Sequence, residues 1–352
     1  MSLKLGFGLV TAQVPVAATH TLVEEYADTL AMAQLVEEVD FDSIWVSEHH
    51  LAEDSYLPSA LTLLAALGAV TKRVELGTGI VLAPFHDPVR FAEDAAVVDL
   101  ISGGRLILGL AAGWRRREFD VFGIPFGERV SRTERLVDVC RRAWGPVSAD
   151  DDFSQVTPKP VRAIPLMLGG TATAPIARAG RLGDGYVGSP QNDLAAFRAA
   201  VATFDQAAAE AGRDPATMSL ATHVNAWVSD DGEISELVLD SMWNQIGSYA
   251  RWHSVDKGLA APGGDLPEMN MDRLRARTVS GTPEEVVEQL APWVEEFAGR
   301  EFHLIVRLHY PGMRQADATP AIRLFAQEVA PGLRAIIPAS FQAPDPGSGA
   351  SS

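Results

Sequence analysis

The chain has 352 residues, 47% of them apolar, enough to bury a sizeable core in one large domain or two ordinary ones. Its 46 acidic residues outnumber 29 basic ones for a formal charge of −17, and no dense basic stripe offsets them, which excludes nucleic acid or an anionic membrane as the main partner. A single cysteine, Cys140, rules out an intrachain disulfide and any multi-cysteine metal site, and it reads as a buried structural thiol on a helix face.

Leu3–Val10 predicts a first strand. Its apolar run is very short, carries two glycines and follows one lysine, so it is not read as a secretory signal despite Ala17-Ala18. No apolar stretch approaches the length of a membrane span, and a cytoplasmic protein is expected. A helix at about Glu24–Val39 is broken by Asp40-Phe41-Asp42, and Ser43–Glu48 is strand two. Pro58–Val70 is a helix of small and branched apolar residues, Val74–Ala83 strand three, and Pro88–Ile101 the helix after it. Gly103-Gly104 turns the chain into strand four, Arg105–Ala112. The alternation then continues through a helix near Arg129–Trp144, an irregular segment Gly145–Pro160 and strand five, Pro165–Gly169. Next come a helix at Thr173–Gly180, strand six at Gly185–Gly188, a helix at Asp193–Ala211 and strand seven, Ser219–Val228. The helix Pro283–Phe297, strand eight at Phe302–His309 and a helix near Pro320–Ala330 complete the pattern.

Strands that alternate with helices imply a parallel sheet with right-handed crossovers, and eight such units fit a closed (β/α)8 TIM barrel. The competing doubly wound sheet needs a Gly-x-Gly-x-x-Gly turn after strand one. Here Gly6-Phe7-Gly8 lies inside the strand and nothing completes it. One domain over residues 1–337 is expected, with a disordered tail at 338–352, rich in Pro, Gly, Ser and Ala. The longest excursion from the barrel rhythm, about 241–278 before the last strand, reads as a lid or binding insertion.

Four stretches are candidates for chemistry. Ser47-Glu48-His49-His50 ends strand two, at the strand terminus where barrels place their sites. Alternation puts His49 on the side of Trp45 and Ser47, and His50 with Val46 and Glu48, so the three ionisable residues cannot close on one metal and none is assigned. A histidine–glutamate network at the barrel rim and an acid–base role for His49 both stand. Gly77 and Gly79 share a face, as do Gly109, Ala111 and Gly113, which leaves either a shallow floor in the barrel mouth or tightly packed barrel layers. Leu168-Gly169-Gly170-Thr171-Ala172-Thr173-Ala174-Pro175 runs a strand into a Gly-Gly turn and a helix start, where free N–H groups and the helix dipole favour an anion; the alternative role for Thr171 or Thr173 is an N-cap, which can coexist with a phosphate. Arg115-Arg116-Arg117 reads as a solvated loop face, with Arg132 near a helix start as an anion contact.

The ordered set resembles the bacterial luciferase-like flavin-dependent monooxygenases. It comprises Ser47-Glu48-His49-His50, Leu76-Gly77-Thr78-Gly79, Pro88-Val89-Arg90, Asp99 through Arg105, Gly113-Trp114 through Glu118-Phe119, Leu168-Gly169-Gly170-Thr171, Gly183-Asp184-Gly185-Tyr186 and Gly281-Thr282-Pro283-Glu284-Glu285-Val286. The resemblance implies a barrel that holds reduced FMN at the strand C-termini, where O2 adds to give a peroxyflavin that oxidises a small organic substrate. It implies a separate flavin reductase and a homodimer paired through early helices such as Pro58–Val70. His49 matches the family's catalytic histidine. The Gly79–Ile80 bond falls where relatives have a non-prolyl cis peptide, and Gly170, Thr171 and Ala172 fall where they hold the phosphate. Gly79, Ile80, Ala112, Gly170, Thr171, Ala172, Ser189 and Arg132 are therefore the expected cofactor-binding residues. Trp114, Trp252 and His309 are the expected substrate-pocket residues, alongside Trp243, Tyr249, His253 and Tyr310. The luciferases proper place a Cys-Arg pair where this chain has Ala111-Ala112, which removes an arginine contact to the phosphate and argues against light emission. The alternative on the same barrel is an oxidoreductase using the deazaflavin F420, which the Glu-His-His form disfavours. A non-catalytic flavin-binding protein is the alternative from another class, and the presence of His49 argues against it.

Overall fold

The computed structural model describes residues 3–189, 193–260, 270–275, 277–297 and 299–337. The expected tail at 338–352 and residues 261–269 of the expected insertion lie outside the described residues. The strands are β1 (Leu3–Val10), β2 (Ser43–Val46), β3 (Glu75–Thr78), β4 (Val81–Leu82), β5 (Leu106–Ala111), β6 (Leu166–Gly169), β7 (Gly185–Val187), β8 (Ser219–Val228), β9 (Thr278–Gly281) and β10 (Phe302–Arg307). The helices are α1 (Leu22–Glu38), α2 (Ala60–Val70), α3 (Pro88–Ser102), α4 (Arg116–Phe122), α5 (Arg129–Trp144), α6 (Thr173–Leu182), α7 (Leu194–Glu210), α8 (Glu236–Asp256), α9 (Met271–Arg275), α10 (Pro283–Phe297), α11 (Gln315–Leu324) and α12 (Ala330–Ile336).

All pairings are parallel, and β10 pairs with both β1 and β8, so the sheet closes on itself. The eight-stranded (β/α)8 barrel read from the alternation is the observed architecture. The third expected strand is divided into β3 and β4 around the cis Gly79–Ile80 peptide. β9 is an addition outside the barrel, paired only with the far end of β8 from Asn225 to Val228. Among the described residues no helix is long and apolar enough to cross a membrane.

Aspartates near the starts of the strands fix the base of the barrel. Asp42 accepts the Leu5 N–H at 2.7 Å, Asp184 the Leu166 N–H at 2.9 Å, and Asp99, in the last turn of α3, the Leu106 N–H at 3.4 Å. Each satisfies a backbone donor where a ladder would otherwise begin unpaired. The opposite rim, where β2, β5 and β6 end, is thereby left to loops.

Side chains that alternate inward fill the barrel: Leu9, Trp45, Ile107, Met167, Val187, Ala221 and Ile305 form one buried cluster. Of the two readings of the glycines, tightly packed barrel layers is the one that the contacts support. A Cβ on Gly77 would lie 2.2 Å from the Trp45 ring, and one on Gly109 would lie 2.1 Å from the Thr78 carbonyl oxygen. Both glycines make room for barrel layers rather than for a ligand. Gly77→Ala should therefore overpack the interior and destabilise the fold by about 1–3 kcal/mol, measured by urea unfolding. An unchanged midpoint would show that Trp45 has room to move.

Candidate active site

At the β2 terminus the regular strand stops at Val46, two residues earlier than its polarity pattern predicts, and Ser47, Glu48 and His49 continue as buried irregular chain. The faces still separate as alternation requires. Glu48 turns to one side, where its Oε1 accepts from His50 Nε2 at 3.3 Å, His86 Nε2 at 3.1 Å and the Leu82 N–H at 3.3 Å. His49 turns to the other side, and its Nδ1 lies 3.0 Å from Oε1 of Glu118. A rim network and an independently held His49 are thus both present.

Glu118 is fully buried, and its Oε1 also accepts the His50 N–H at 2.9 Å and Arg115 Nη1 at 3.2 Å. With the His50 N–H and the Arg115 guanidinium already donating to it, this oxygen acts as the acceptor toward His49. Nδ1 of His49 therefore carries its hydrogen, and Nε2 is left as the free acceptor. Arg115 donates further to the His50 carbonyl at 2.8 Å and stacks over Trp252, 4.2 Å from the ring centroid.

The arginine run is not a loop face, which corrects the sequence reading. Arg115 is buried, and Arg116 and Arg117 begin α4, which places Glu118 in its first turn. The i,i+3 spacing Arg115-x-x-Glu118 is a readable signal for this pair. Its meeting with His49, 69 residues away, was not readable from local pattern.

The expected insertion at 241–278 begins within a 21-residue helix, α8, which runs to Asp256. Its inner face covers His49: the His49 ring lies 5.4 Å from Tyr249 and 5.1 Å from Trp252, with Tyr56 5.1 Å away on another side. Tyr249 and Tyr56 share a hydroxyl contact at 3.2 Å, Ser248 donates to buried Asp54 at 3.2 Å, and the Arg116 N–H donates to Asp256 at 2.9 Å. Trp114 stacks on His253 at 4.0 Å and faces His49 at 6.3 Å.

The other expected residues divide by place. Ile80, Ala111, Ala112, Gly169, Gly170 and Ser189 are partly exposed at the ends of their strands, and Gly79 is buried beneath Leu9. Neither Thr171 nor Thr173 caps α6. The N-cap is Ala172, without a side-chain cap bond, so the first N–H groups of the helix have no capping partner. A Cβ on Gly170 would lie 2.5 Å from Pro175, and Tyr186 donates to the Gly170 carbonyl at 2.8 Å, so the turn is tight and fixed. Arg132 lies on the exposed side of α5, paired with Glu128 at 3.0 Å. His309 is partly buried and donates from Nε2 to the Met313 carbonyl at 3.0 Å; burial holds its pKa down at about 4. Tyr56, His223 and Arg307, which also face this region, carried no sequence signal. Among the described residues no group of three or more His, Cys, Asp or Glu side chains is placed to hold a metal.

A sequence model described as luciferase-like monooxygenase matches residues 5–300. The chain is 27% identical over 328 residues to an F420-dependent glucose-6-phosphate dehydrogenase of Amycolatopsis mediterranei, covering 88% of this chain and 95% of that one. It is 25% identical over 306 residues to the oxygenase component of a flavin-dependent trigonelline monooxygenase of Acinetobacter baylyi, covering 81% and 84%. The crystal structure of the monooxygenase RslO1 from Streptomyces bottropensis superposes with a TM-score of 0.75 at 25% identity, over 93% of this chain and 99% of that one.

The Glu48 network has a pH signature. Burial alone would raise the Glu48 pKa, but the hydrogen bonds from His50 and His86 prevail and hold it at about 2, against an ordinary 4.5. A depressed folded-state pKa adds stability that is complete above about pH 4.5 and is lost as pH falls toward about 2. Glu48→Gln should flatten that part of the urea-midpoint profile. Parallel acid profiles for the two proteins would remove Glu48 from the acid response.

Proposed function

The chain belongs to the luciferase-like monooxygenase family, and from that membership and the site geometry we propose that it is a flavin-dependent monooxygenase that uses reduced FMN and O2 to oxidise a small organic substrate. The observation that carries the reading is the imidazole of His49, fixed at Nδ1 by Glu118 and presenting Nε2 as an acceptor under an aromatic cover.

The residues present fit the cofactor. A wall of small residues (Gly79, Ala111, Ala112 and Gly169) beside the apolar Ile80 suits a flat ring, and the tight Gly170–Ala172 turn with uncapped N–H groups suits a phosphate monoester. With Ala112 in the wall and Arg132 paired to Glu128, backbone donors carry the phosphate contact. Reduced FMN, when bound, supplies the electrons and the centre at which O2 is activated. His49 takes a proton at Nε2 and returns it, while the Glu118 carboxylate offsets the charge that the ring gains. Arg115 holds that carboxylate in place, and Tyr249 and Trp252 exclude water from the imidazole. A separate reductase supplies the reduced flavin, in keeping with a relative named as an oxygenase component.

The F420-dependent relatives favour a second reading, a deazaflavin oxidoreductase on the same barrel. Anaerobic titration with reduced FMN and with reduced F420, followed by mixing with oxygenated buffer in a stopped-flow spectrometer, separates the two. Binding of FMN and a transient absorbance distinct from free reduced and oxidised flavin are expected. Tighter binding of F420 with no oxygen-dependent transient would overturn the monooxygenase reading. His49→Ala should keep FMN binding and slow substrate oxidation at least about tenfold, the usual scale of a lost acid–base group; unchanged turnover would remove His49 from the mechanism.

A further inference from the structure

The mouth of the barrel is chemically lopsided. Opposite the small residues of β3, β5 and β6, the strands β8 and β10 end in His223, Asn225 and Arg307. Arg307 pairs in register with Asn225, and Ile305 with His223. Alternation along β10 puts Arg307 on the same face as Ile305, which lies in the barrel interior.

Arg307 is 4% exposed. Its Nε and Nη2 donate to the Leu9 carbonyl, at 3.1 and 2.5 Å, and Nη1 has no partner among the described residues. No carboxylate of the described residues lies within ion-pair distance of it. The contrast is Arg115, the other buried arginine among the described residues, which has Glu118. A guanidinium stays charged whatever its surroundings, so a buried one without a counter-ion is costly unless a ligand supplies the charge. The backbone around it is rigid: the Tyr310 hydroxyl donates to the carbonyls of Arg307 at 2.8 Å and Ala226 at 3.0 Å, and accepts the Ala226 N–H at 2.9 Å.

His223 points the same way. It is buried, its Nδ1 has no partner, and burial, aided by the Arg307 charge, pushes its pKa down to about 3, so it is neutral. A neutral imidazole beside a fixed cation cannot balance the charge but can hydrogen-bond whatever does. The Arg307 charge also acts on Tyr56 and Tyr249, the tyrosines that pack against His49, so the cation lies near the aromatic cover of the proton-transfer group.

We propose that Arg307 anchors the substrate of this site, and that the substrate is an organic molecule bearing a planar oxyanion, a carboxylate or phenolate, which accepts from Nη1 with His223 as its hydrogen-bonding neighbour. The inference rests on the mouth being the substrate site and not on the oxygen chemistry. Reduced flavin is also an anion at its pyrimidine edge, and the test separates the two sources.

Benzoate and benzyl alcohol, which share a ring and differ in charge, are the probes. Each is titrated calorimetrically into the protein with and without FMN. The native protein should prefer benzoate at least about tenfold, the factor of one charge-assisted hydrogen bond. Arg307→Met should abolish the preference, and Arg307→Lys should keep part of it. Because Arg307→Met removes the two donors to the Leu9 carbonyl together with the charge, its melting temperature is measured alongside, and Arg307→Lys, which keeps a charge and a donor, separates lost binding from lost folding. Equal affinity of the native protein for both probes, or an Arg307→Met protein that still prefers benzoate, would overturn the proposal. A loss in Arg307→Met confined to anaerobic binding of reduced FMN would overturn it in favour of the cofactor. These readouts involve no turnover, so they stand or fall separately from the monooxygenase reading.

Discussion

One oxygen atom of Glu118 organises the site. It accepts from the side chain of His49, the backbone of His50 and the guanidinium of Arg115, and so it ties the end of β2 to the start of α4. Arg115 extends that tie to α8 by lying under Trp252. Three segments far apart in sequence are positioned by one buried charge. Such an arrangement is stable only while complete: removing one partner strands the others without solvent, at about 3–5 kcal/mol for a buried pair. The same completeness fixes the ring orientation and tautomer of His49, which a solvent-exposed histidine would not have.

The barrel was legible in the chain because each of its units carries its own signal, an apolar run followed by a helical period. The strand ends were less so. Ser47 to His49 keep an alternating pattern beyond the last ladder partner, and nothing local marks where pairing stops. The helical form of the cover over His49 was not legible for a different reason. α8 turns Ser241, Gln245 and Ser248 inward together with Val238, Met242 and Trp252, so its buried face is not apolar enough to show a helical period. Those polar groups face inward because partners such as Asp54 await them, and partners are a property of the fold. The arginine run failed similarly: three like charges look solvated until one of them has a buried carboxylate. Of the site, then, His49 and the glycine turn before α6 could be read from the chain, whereas Glu118, Arg115, Tyr56 and Arg307 owe their roles to contacts across strands.

The two walls of the mouth place different demands on the fold. The small wall comes from residues whose absent or short side chains already serve the packing of Trp45 and Leu9, so a flat surface there is compatible with a stable barrel. The polar wall has the opposite character. His223 and Arg307 sit one layer above Ala221 and Ile305, where side chains as apolar as those below would pack without cost. A ring-shaped cofactor suits the first wall. The second offers specific polar chemistry to whatever lies beside that ring.

The charge balance of the whole chain sharpens the point. With a net charge of −17, an anionic ligand approaches against an unfavourable long-range field. Most surface arginines add nothing to counter it, because pairs such as Arg142–Asp151, Arg198–Glu296 and Arg300–Asp205 neutralise them locally. Arg307 is different because solvent does not screen it and no described carboxylate cancels it. Water and salt weaken the field of the acidic surface over roughly 8 Å at physiological ionic strength. A desolvated cation acts at contact distance in a medium of much lower dielectric. The acidic exterior therefore governs how often an anion arrives, and the buried cation governs whether it stays. Two of its nitrogens hold the Leu9 carbonyl, and Nη1 is the donor left over for such an anion.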